Sequence, residues 1–262
     1  LKYDNSDKSC SGLLLSQQWV VTAAHCVMTE GVRDDPAQLT VSLSRTLANE
    51  RGMKPSSAKV KGDRVFVRDD YEKLAQKNAS ILLKAPHDLA LIELATTLDV
   101  EFNSAVMKAE PPGAFLAALA GYGVNLAGKD GARLIDDTLD VGWVKVQGTP
   151  QLVNWIGFDP TYTSADKNSV PCPGDSGGPI YLNALKSPSA GDPPLLLPDR
   201  PAIGCKDERR QIIGIVSYID AVRDRASWND QACFQSVRGS GPTLSAHLDW
   251  ICKTANLYCT GK

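Results

Sequence analysis

The stretch Gly174-Asp175-Ser176-Gly177-Gly178-Pro179 is the strongest local signal in the chain. It places a serine among small residues, so the hydroxyl can be exposed while backbone N–H groups point to the same side. A nucleophile beside an oxyanion hole needs this arrangement. A plain glycine-rich turn is the alternative interpretation, and the rest of the chain has to decide between the two.

A nucleophilic serine needs a base, and the chain has 3 histidines, His25, His87 and His247. His25 directly follows an apolar run, His87 is next to Asp88, and His247 lies in a segment with a helical pattern. The base in turn needs a carboxylate that fixes its tautomer and stabilises the imidazolium. Asp88 begins an apolar run that ends at Leu94, where an unpaired carboxylate would be costly. Asp88 is therefore the candidate partner, and a cap or turn residue is the alternative.

The composition is that of a globular protein, with 262 residues of which 43% are hydrophobic and 22% charged. The 28 basic and 30 acidic residues give a formal net charge of -2, so no basic excess favours nucleic acid as a partner. No apolar run reaches the roughly 18–20 residues that a membrane-spanning helix needs. The chain starts with Leu1-Lys2-Tyr3, and we expect that a signal peptide is not part of this sequence.

Short apolar runs recur along the chain, and several alternate with polar residues as half-buried strands do. The segment 243–257 is the clearest helix, because Leu244, Leu248 and Ile251 fall on one face and Ser245 can cap it. Together these patterns predict an all-β fold with a C-terminal helix.

Three further segments are less regular. Residues 115–120 fit either a helix or a strand, whereas 48–62 and 187–210 are polar or proline-rich and are expected to be surface insertions.

The 7 cysteines include no C-x-x-C pair, so a zinc site is not predicted. Dispersed cysteines fit disulfides in an oxidising compartment. We therefore expect a secreted or periplasmic protein, and the odd count leaves at least one cysteine without a partner in this chain.

Taken together, the motifs resemble the chymotrypsin/trypsin-like serine protease family. The resemblance rests on Thr22–Cys26, Asp88–Leu91 and Cys172–Pro179, which follow one another in the order His, Asp, Ser. Weaker matches are Cys10-Ser11-Gly12, Gly121-Tyr122-Gly123, Gly214–Tyr218 and the closing helix from Thr243 to Ile251.

The resemblance implies a serine endopeptidase with a role for each matching residue. Ser176 would attack the scissile carbonyl, His25 would transfer the proton and Asp88 would orient His25. The N–H groups of Gly174 and Ser176 would form the oxyanion hole. Ser217 would support the aspartate. The partners implied are a protein or peptide substrate and a protein inhibitor, and no cofactor or metal is needed.

The resemblance also implies a specificity pocket. Its base would be Val170, where trypsin-like members carry an aspartate, and its walls would be Ile219 and Gly239. Residues 217–219, with Tyr218 at their centre, would pair with the substrate backbone. An apolar pocket of this kind predicts cleavage after small or medium apolar residues rather than after lysine or arginine.

Two disulfides follow from the resemblance, Cys10–Cys26 and Cys172–Cys233. A third bridge of the family would join the positions of Ala117 and Leu182, and both cysteines are missing together. Cys205, Cys252 and Cys259 remain, and we favour a bridge from Cys205 to one of the other two.

The implied architecture is two antiparallel six-stranded β-barrels with a C-terminal helix. Residues 1–110 would form the first domain, with His25 and Asp88. Residues 111–262 would form the second, with Ser176 and a helix at about 243–257. The catalytic side chains would meet in the cleft between the domains.

Three alternatives stay open at this point. The first is an α/β-hydrolase esterase, since the serine motif also fits G-x-S-x-G, with His247 as the only later histidine. The second is a catalytically impaired, protease-like binding module. The third is a zymogen-like fragment, because in this family a new N-terminus pairs with the residue at Asp175, and we expect the chain as written to be less active than a complete parent.

Overall fold

The structure is a computed structural model that describes part of the chain. The residues it describes are 1–4, 8–43, 59–98, 104–106, 115–123, 139–147, 155–159, 171, 174–182, 210–221 and 236–257.

The N-terminal part of the chain forms a six-stranded sheet and a small hairpin. The strands are β1 (Lys2–Tyr3), β2 (Leu13–Leu14), β3 (Trp19–Thr22), β4 (Met28–Thr29), β5 (Val32–Arg33), β6 (Leu39–Ser42), β7 (Lys59–Val67) and β8 (Ala90–Leu94). The sheet order is β1-β6-β7-β8-β3-β2 with every pair antiparallel, and β4 pairs with β5. All four residues of β3 are buried, which explains the continuous apolar run in the sequence.

The second sheet has eight strands, all later in the chain. They are β9 (Ser104–Val106), β10 (Phe115–Gly121), β11 (Asp140–Gln147), β12 (Trp155–Asp159), β13 (Pro179–Leu182), β14 (Arg210–Ile215), β15 (Tyr218–Ala221) and β16 (Ser236–Pro242). Their order is β15-β16-β12-β11-β10-β13-β14-β9, and only the edge strand β9 is parallel to its neighbour. Because β9 belongs to this sheet, the second sheet begins before residue 110, and the division of the chain at 110 stays a prediction.

Three α-helices are described, namely α1 (Asp69–Gln76), α2 (Ile81–Lys84) and α3 (Leu248–Ala255). The C-terminal helix is confirmed but is shorter than predicted, since a 3₁₀ turn at Ser245–His247 precedes it. The predicted cap by Ser245 is wrong. Leu244 is already in the right-handed helical conformation, so Ser245 lies inside the turn and its side chain makes no cap hydrogen bond.

The prediction of a mostly-β fold is confirmed, and two local predictions are refined. Residues 115–120 form the strand β10. The expected insertion at 48–62 is wrong at its end, because 59–62 begin the strand β7 and pair with β6 and β8. Of the segment 187–210, only Arg210 lies within the described residues. None of the described helices is long and apolar enough to cross a membrane.

The C-terminal helix shares its core with the first sheet. Ile251 of α3, and Leu244 just before the 3₁₀ turn, are at most 1% exposed and belong to the same apolar cluster as Val21 and Leu91. Each fully buried side chain of this size stabilises the fold by about 1.5–3 kcal/mol. The helix therefore ties the end of the chain to the sheet that carries the first two candidate residues.

Candidate active site

The pairing of β3 with β8 brings His25 and Asp88 together. The two strands are antiparallel, and Thr22 at the end of β3 lies opposite Ala90 at the start of β8. His25 follows in a 3₁₀ turn at Ala24–Cys26, and Asp88 directly precedes the other strand. The segment that follows β3 therefore lies beside the segment that precedes β8, and two residues 63 positions apart come into contact.

Asp88 is 3% exposed and accepts three hydrogen bonds. The donors are His25 Nδ1 at 2.7 Å, the backbone N–H of His25 at 2.8 Å and the Ser217 hydroxyl at 2.5 Å. Burial alone would raise the pKa of Asp88. The adjacent His25, the hydrogen bonds of its ring and backbone, and the Ser217 hydroxyl outweigh burial, so the pKa lies below its ordinary value. The carboxylate is therefore ionised at neutral pH.

The ionised carboxylate fixes the His25 ring. A carboxylate can only accept, so Nδ1 carries the hydrogen, and in the neutral ring Nε2 presents its lone pair. The His25 side chain is 35% exposed, and its Nε2 lies 3.8 Å from Sγ of Cys26. Asp88 thus holds the ring at Nδ1, and Nε2 on the opposite side of the ring is left to accept a proton.

Ser176 lies in a turn that packs against Cys26. Its carbonyl oxygen accepts a hydrogen bond from the Ser11 backbone N–H at 2.8 Å and lies 3.6 Å from Sγ of Cys26. The next residue, Gly177, has a φ of 81° and donates to the carbonyl of Val216 at 2.7 Å. His25 and Ser176 therefore contact the same cysteine from two directions.

The backbone of the Ser176 turn has three bound carbonyls and two N–H groups without an acceptor among the described residues. The carbonyls of Gly174, Asp175 and Ser176 accept hydrogen bonds from the Ser11 hydroxyl, the Gly178 N–H and the Ser11 N–H. No described residue accepts a hydrogen bond from the N–H of Gly174 or of Ser176. Two free donors are thus available for an external anion or carbonyl oxygen.

One contact of a complete triad is not formed. Within the described part of the chain, no hydrogen bond joins the Ser176 hydroxyl to Nε2 of His25. Catalytic hydrogen bonds are often long before substrate binds and tighten in the complex.

The structure describes only part of the predicted pocket. Ser217 directly precedes the edge strand β15, Tyr218 begins it, and Ile219 is paired with Gly239 in the register of β15 and β16. The two predicted walls are therefore cross-strand neighbours. Val170, the predicted base, lies outside the described residues.

The predicted bridge between Cys10 and Cys26 is present, with an S–S distance of 2.03 Å. His25 and these two cysteines lie close together, but sulfurs bonded to each other are not the thiolates that a metal site requires. Cys252 is also disulfide-bonded. Its partner and the predicted pair Cys172–Cys233 lie outside the described residues, as do Cys205 and Cys259.

Comparison with known proteins decides the family. The sequence model of the Trypsin family matches residues 1–226. The chain belongs to the Trypsin family. The pairing of Ala117 with Leu182 as direct neighbours in β10 and β13 agrees with this assignment, because these are the positions of the bridge that is missing from this chain.

Relatives of this Trypsin-family chain are 26–28% identical to it over the aligned regions. Pig (Sus scrofa) coagulation factor XII is 28% identical over 82% of this chain and 32% of its own length. Trypsin theta of Drosophila erecta is 26% identical over 66% of this chain and 62% of its own. U21-ctenitoxin-Pn1a of the spider Phoneutria nigriventer is 27% identical over 68% of this chain and 73% of its own. The chain thus spans about a third of factor XII and about three fifths of trypsin theta.

A solved structure supports the trypsin-like fold. The scabies mite inactivated protease paralogue S-I1 superposes with a TM-score of 0.55 and 15% identity, covering 94% of this chain and 88% of that protein. At this identity the similarity concerns the fold alone.

Two buried residues of the site were not singled out from the sequence. Ser11 binds the Ser176 turn, and in the sequence it is marked only by the weak motif Cys10-Ser11-Gly12. Tyr71 is 6% exposed, and burial followed by the charge of Asp88 raises the pKa of its hydroxyl. The position of Ser11 directly after Cys10 was the only sequence signal available, and Tyr71 gave none.

Gly177 provides a test of the packing around the turn. A Cβ at this position would collide with Oγ1 of Thr22 and lie 2.5 Å from the Ser11 carbonyl oxygen, at a φ of 81°. We expect Gly177→Ala to lower the free energy of unfolding by roughly 2–5 kcal/mol, from backbone strain and overpacking together. Gly31 has the same φ of 81° but its nearest neighbour, Cα of Gln76, would be 3.3 Å away. In urea unfolding, Gly31→Ala should have the smaller effect, and equal losses would contradict the steric argument.

His247 should make stability depend on pH. It is 2% exposed, its Nε2 lies 2.9 Å from the Pro86 carbonyl oxygen, and no described residue binds its Nδ1. Burial lowers its pKa to about 4, and Arg68 and His87 act in the same direction while the Pro86 carbonyl and Asp70 oppose it.

The unfolded chain therefore binds more protons at His247 than the folded chain between about pH 6.5 and pH 4. Over this window, falling pH should reduce stability by roughly 1–3 kcal/mol through this residue. Glutamine in the variant His247→Gln does not titrate. The free energy of unfolding of the wild type minus that of the variant should therefore decrease as the pH is lowered from 6.5 to 4. A difference that is constant from pH 8 to pH 4 would contradict this account.

Proposed function

We propose that this chain is a serine endopeptidase that hydrolyses peptide bonds through an acyl-enzyme. One observation carries the proposal. Asp88 holds the His25 ring so that Nε2 is left basic beside a turn that presents Ser176 and two free N–H groups. A base, a nucleophile and an oxyanion hole are the three parts that acyl transfer requires.

The proposed reaction assigns each group a step. As Oγ of Ser176 bonds to the substrate carbonyl carbon, its proton moves to Nε2 of His25, and the negative charge develops on the carbonyl oxygen. The N–H groups of Gly174 and Ser176 stabilise this oxygen, each by about 3–4 kcal/mol. His25 then protonates the leaving amine, the C–N bond breaks and an acyl-enzyme remains. Water, losing a proton to His25, hydrolyses the ester and restores Ser176.

A catalytically impaired, protease-like binding module is the second candidate. The missing hydrogen bond between Ser176 and His25 favours it, since an enzyme needs this contact at the moment of attack. Under this candidate, the cleft would bind a polypeptide without cleaving it. Turnover separates the two.

The proposed activity is tested by incubating the purified protein with a mixed peptide library and sequencing the products. We expect cleavage after small or medium apolar residues, because the proposed pocket has Val170 at its base and Ile219 and Gly239 at its walls. A profile dominated by cleavage after arginine or lysine would overturn the specificity. Absence of any cleavage, together with peptide binding, would favour the binding module.

Two histidine variants separate this proposal from an α/β-hydrolase mechanism. His25→Ala should abolish turnover, because His25 is the residue paired with Asp88. His247→Ala should leave the catalytic groups in place, since His247 contacts Pro86 from the C-terminal part of the chain. The opposite result would assign the base to His247.

We also propose an extracytoplasmic location, with proteins or peptides as substrates and protein inhibitors as partners. The location is supported by the Cys10–Cys26 disulfide, which persists in oxidising compartments. Reduction by the cytosolic thiol pool would break this disulfide, which links the turn that contains His25 to the segment before β2.

A further inference from the structure

Ser11 binds the turn that carries the proposed nucleophile. It is 2% exposed and directly follows Cys10. Its hydroxyl donates to the carbonyl oxygen of Gly174 at 2.8 Å and accepts from the Tyr122 N–H at 2.9 Å. Its own N–H donates to the carbonyl oxygen of Ser176 at 2.8 Å. One side chain and its backbone thus hold two carbonyls of the same turn.

These contacts hold the two peptide groups that flank the one carrying the Ser176 N–H. Peptide groups are planar, so holding a carbonyl orients the N–H of the same group. The group between Asp175 and Ser176 has its carbonyl held by the Gly178 N–H at 2.8 Å. The described peptide bonds are all trans, so the Ser176 N–H points away from Gly178. Ser11 holds the peptide groups on both sides of this one.

Gly174 depends on an external contact for its conformation. Its φ is 103°, in a region that glycine enters without strain and leaves as easily. A Cβ would lie only 3.0 Å from Cα of Gly123, so no bulkier residue could restrict the backbone here. The hydrogen bond from the Ser11 hydroxyl supplies the restriction, and the Tyr122 N–H sets the direction of that hydroxyl.

We propose that Ser11 is a positioning residue that holds the N–H groups of Gly174 and Ser176 in the orientation that stabilises the oxyanion. The proposal rests on the proposed peptidase function. Ser11 acts through the two carbonyls that it binds, and in the described structure it makes no hydrogen bond to the His25 ring or to the Ser176 hydroxyl.

The test compares Ser11→Ala with a control that removes another buried hydroxyl from the same place. Thr22 is fully buried, and its hydroxyl donates to the Ser11 carbonyl at 2.8 Å. Thr22→Val therefore removes a hydrogen bond of equal length, the one to the Ser11 carbonyl. It leaves the carbonyls of Gly174 and Ser176 bound to Ser11. The two variants should lower the thermal midpoint by similar amounts.

Kinetics should separate the two variants. We expect Ser11→Ala to lower kcat by about 10–100-fold and to keep KM within about 3-fold of the wild-type value. Misoriented N–H groups weaken binding of the transition state but not binding of the substrate in its ground state. Thr22→Val should keep kcat within about 3-fold. A peptide boronic acid forms a tetrahedral adduct on Ser176 that places an oxygen in the oxyanion hole. Its Kd for Ser11→Ala should rise by the same factor by which kcat falls.

Further variants keep the test decisive. Ser11→Thr retains the hydroxyl and should restore kcat, and Ser11→Gly also lacks the hydroxyl and replaces Ser11→Ala if the latter does not fold. Equal kcat in Ser11→Ala and wild type, or equal losses in Ser11→Ala and Thr22→Val, would overturn the role of Ser11 alone. A folded wild type without turnover would overturn the proposed function and the role of Ser11 with it.

Discussion

Ser176→Ala should lower kcat for peptide hydrolysis by about 10⁶-fold, the loss that removal of the serine from such a triad causes elsewhere. The nucleophile is then missing, whereas the free N–H of residue 176 and the pairing of His25 with Asp88 remain. Weak catalysis above the uncatalysed rate should therefore persist, from binding and the oxyanion hole alone. Initial rates at saturating peptide concentration measure the effect.

Ser42→Ala is a matched control, since Ser42 is an exposed serine on β6. It should leave kcat unchanged. If Ser176→Ala retained more than a few per cent of the wild-type kcat, another residue would have to be the nucleophile.

Asp88→Asn should lower kcat by about 10⁴-fold, with the fold intact. An asparagine amide group facing Nδ1 of His25 would donate a hydrogen bond where the carboxylate now accepts one at 2.7 Å. The ring would then take the other tautomer, with hydrogen on Nε2, and could no longer accept the proton of Ser176. Measured kcat, beside a circular dichroism spectrum that shows a folded variant, checks this prediction.

Ser217→Ala is the matched control for Asp88, because it removes one of the three donors to the carboxylate and leaves the charge in place. Its kcat should fall by about 10-fold or less, as expected for the loss of one supporting hydrogen bond. Equal effects of Asp88→Asn and Ser217→Ala would mean that the carboxylate does not act through the His25 tautomer.

Much of the fold could be predicted because its signals are local in the sequence. The run Trp19–Thr22 is buried throughout and forms β3, and Ala90–Leu94 is buried except at Glu93 and forms β8. The contact between His25 and Asp88 could be predicted only through the family resemblance, since it depends on the pairing of these two strands. The same holds for the disulfide between Cys10 and Cys26.

Other features could not be predicted, for physical reasons. Helix α1 has only Tyr71 buried and is stabilised at its surface by acidic residues in the first turn, so no apolar stripe marks it. The prediction that Ser245 caps the helix is wrong because serine is common both at the cap position and in the first turn of a helix. The contacts of Ser11 with Gly174 and Ser176 join residues more than 160 positions apart, and no spacing rule indicates them.

The central claim is that His25 and Ser176 act as one catalytic unit. A fluorophosphonate tests it most directly, because the activated serine oxygen bonds to phosphorus and fluoride leaves, with no need to know the natural substrate. We expect a single adduct on Ser176 by peptide mass mapping, formed about 10²–10⁴-fold more slowly in His25→Ala, as for loss of a general base. No adduct on Ser176 in the folded wild type, or labelling of His25→Ala at the wild-type rate, would contradict the account.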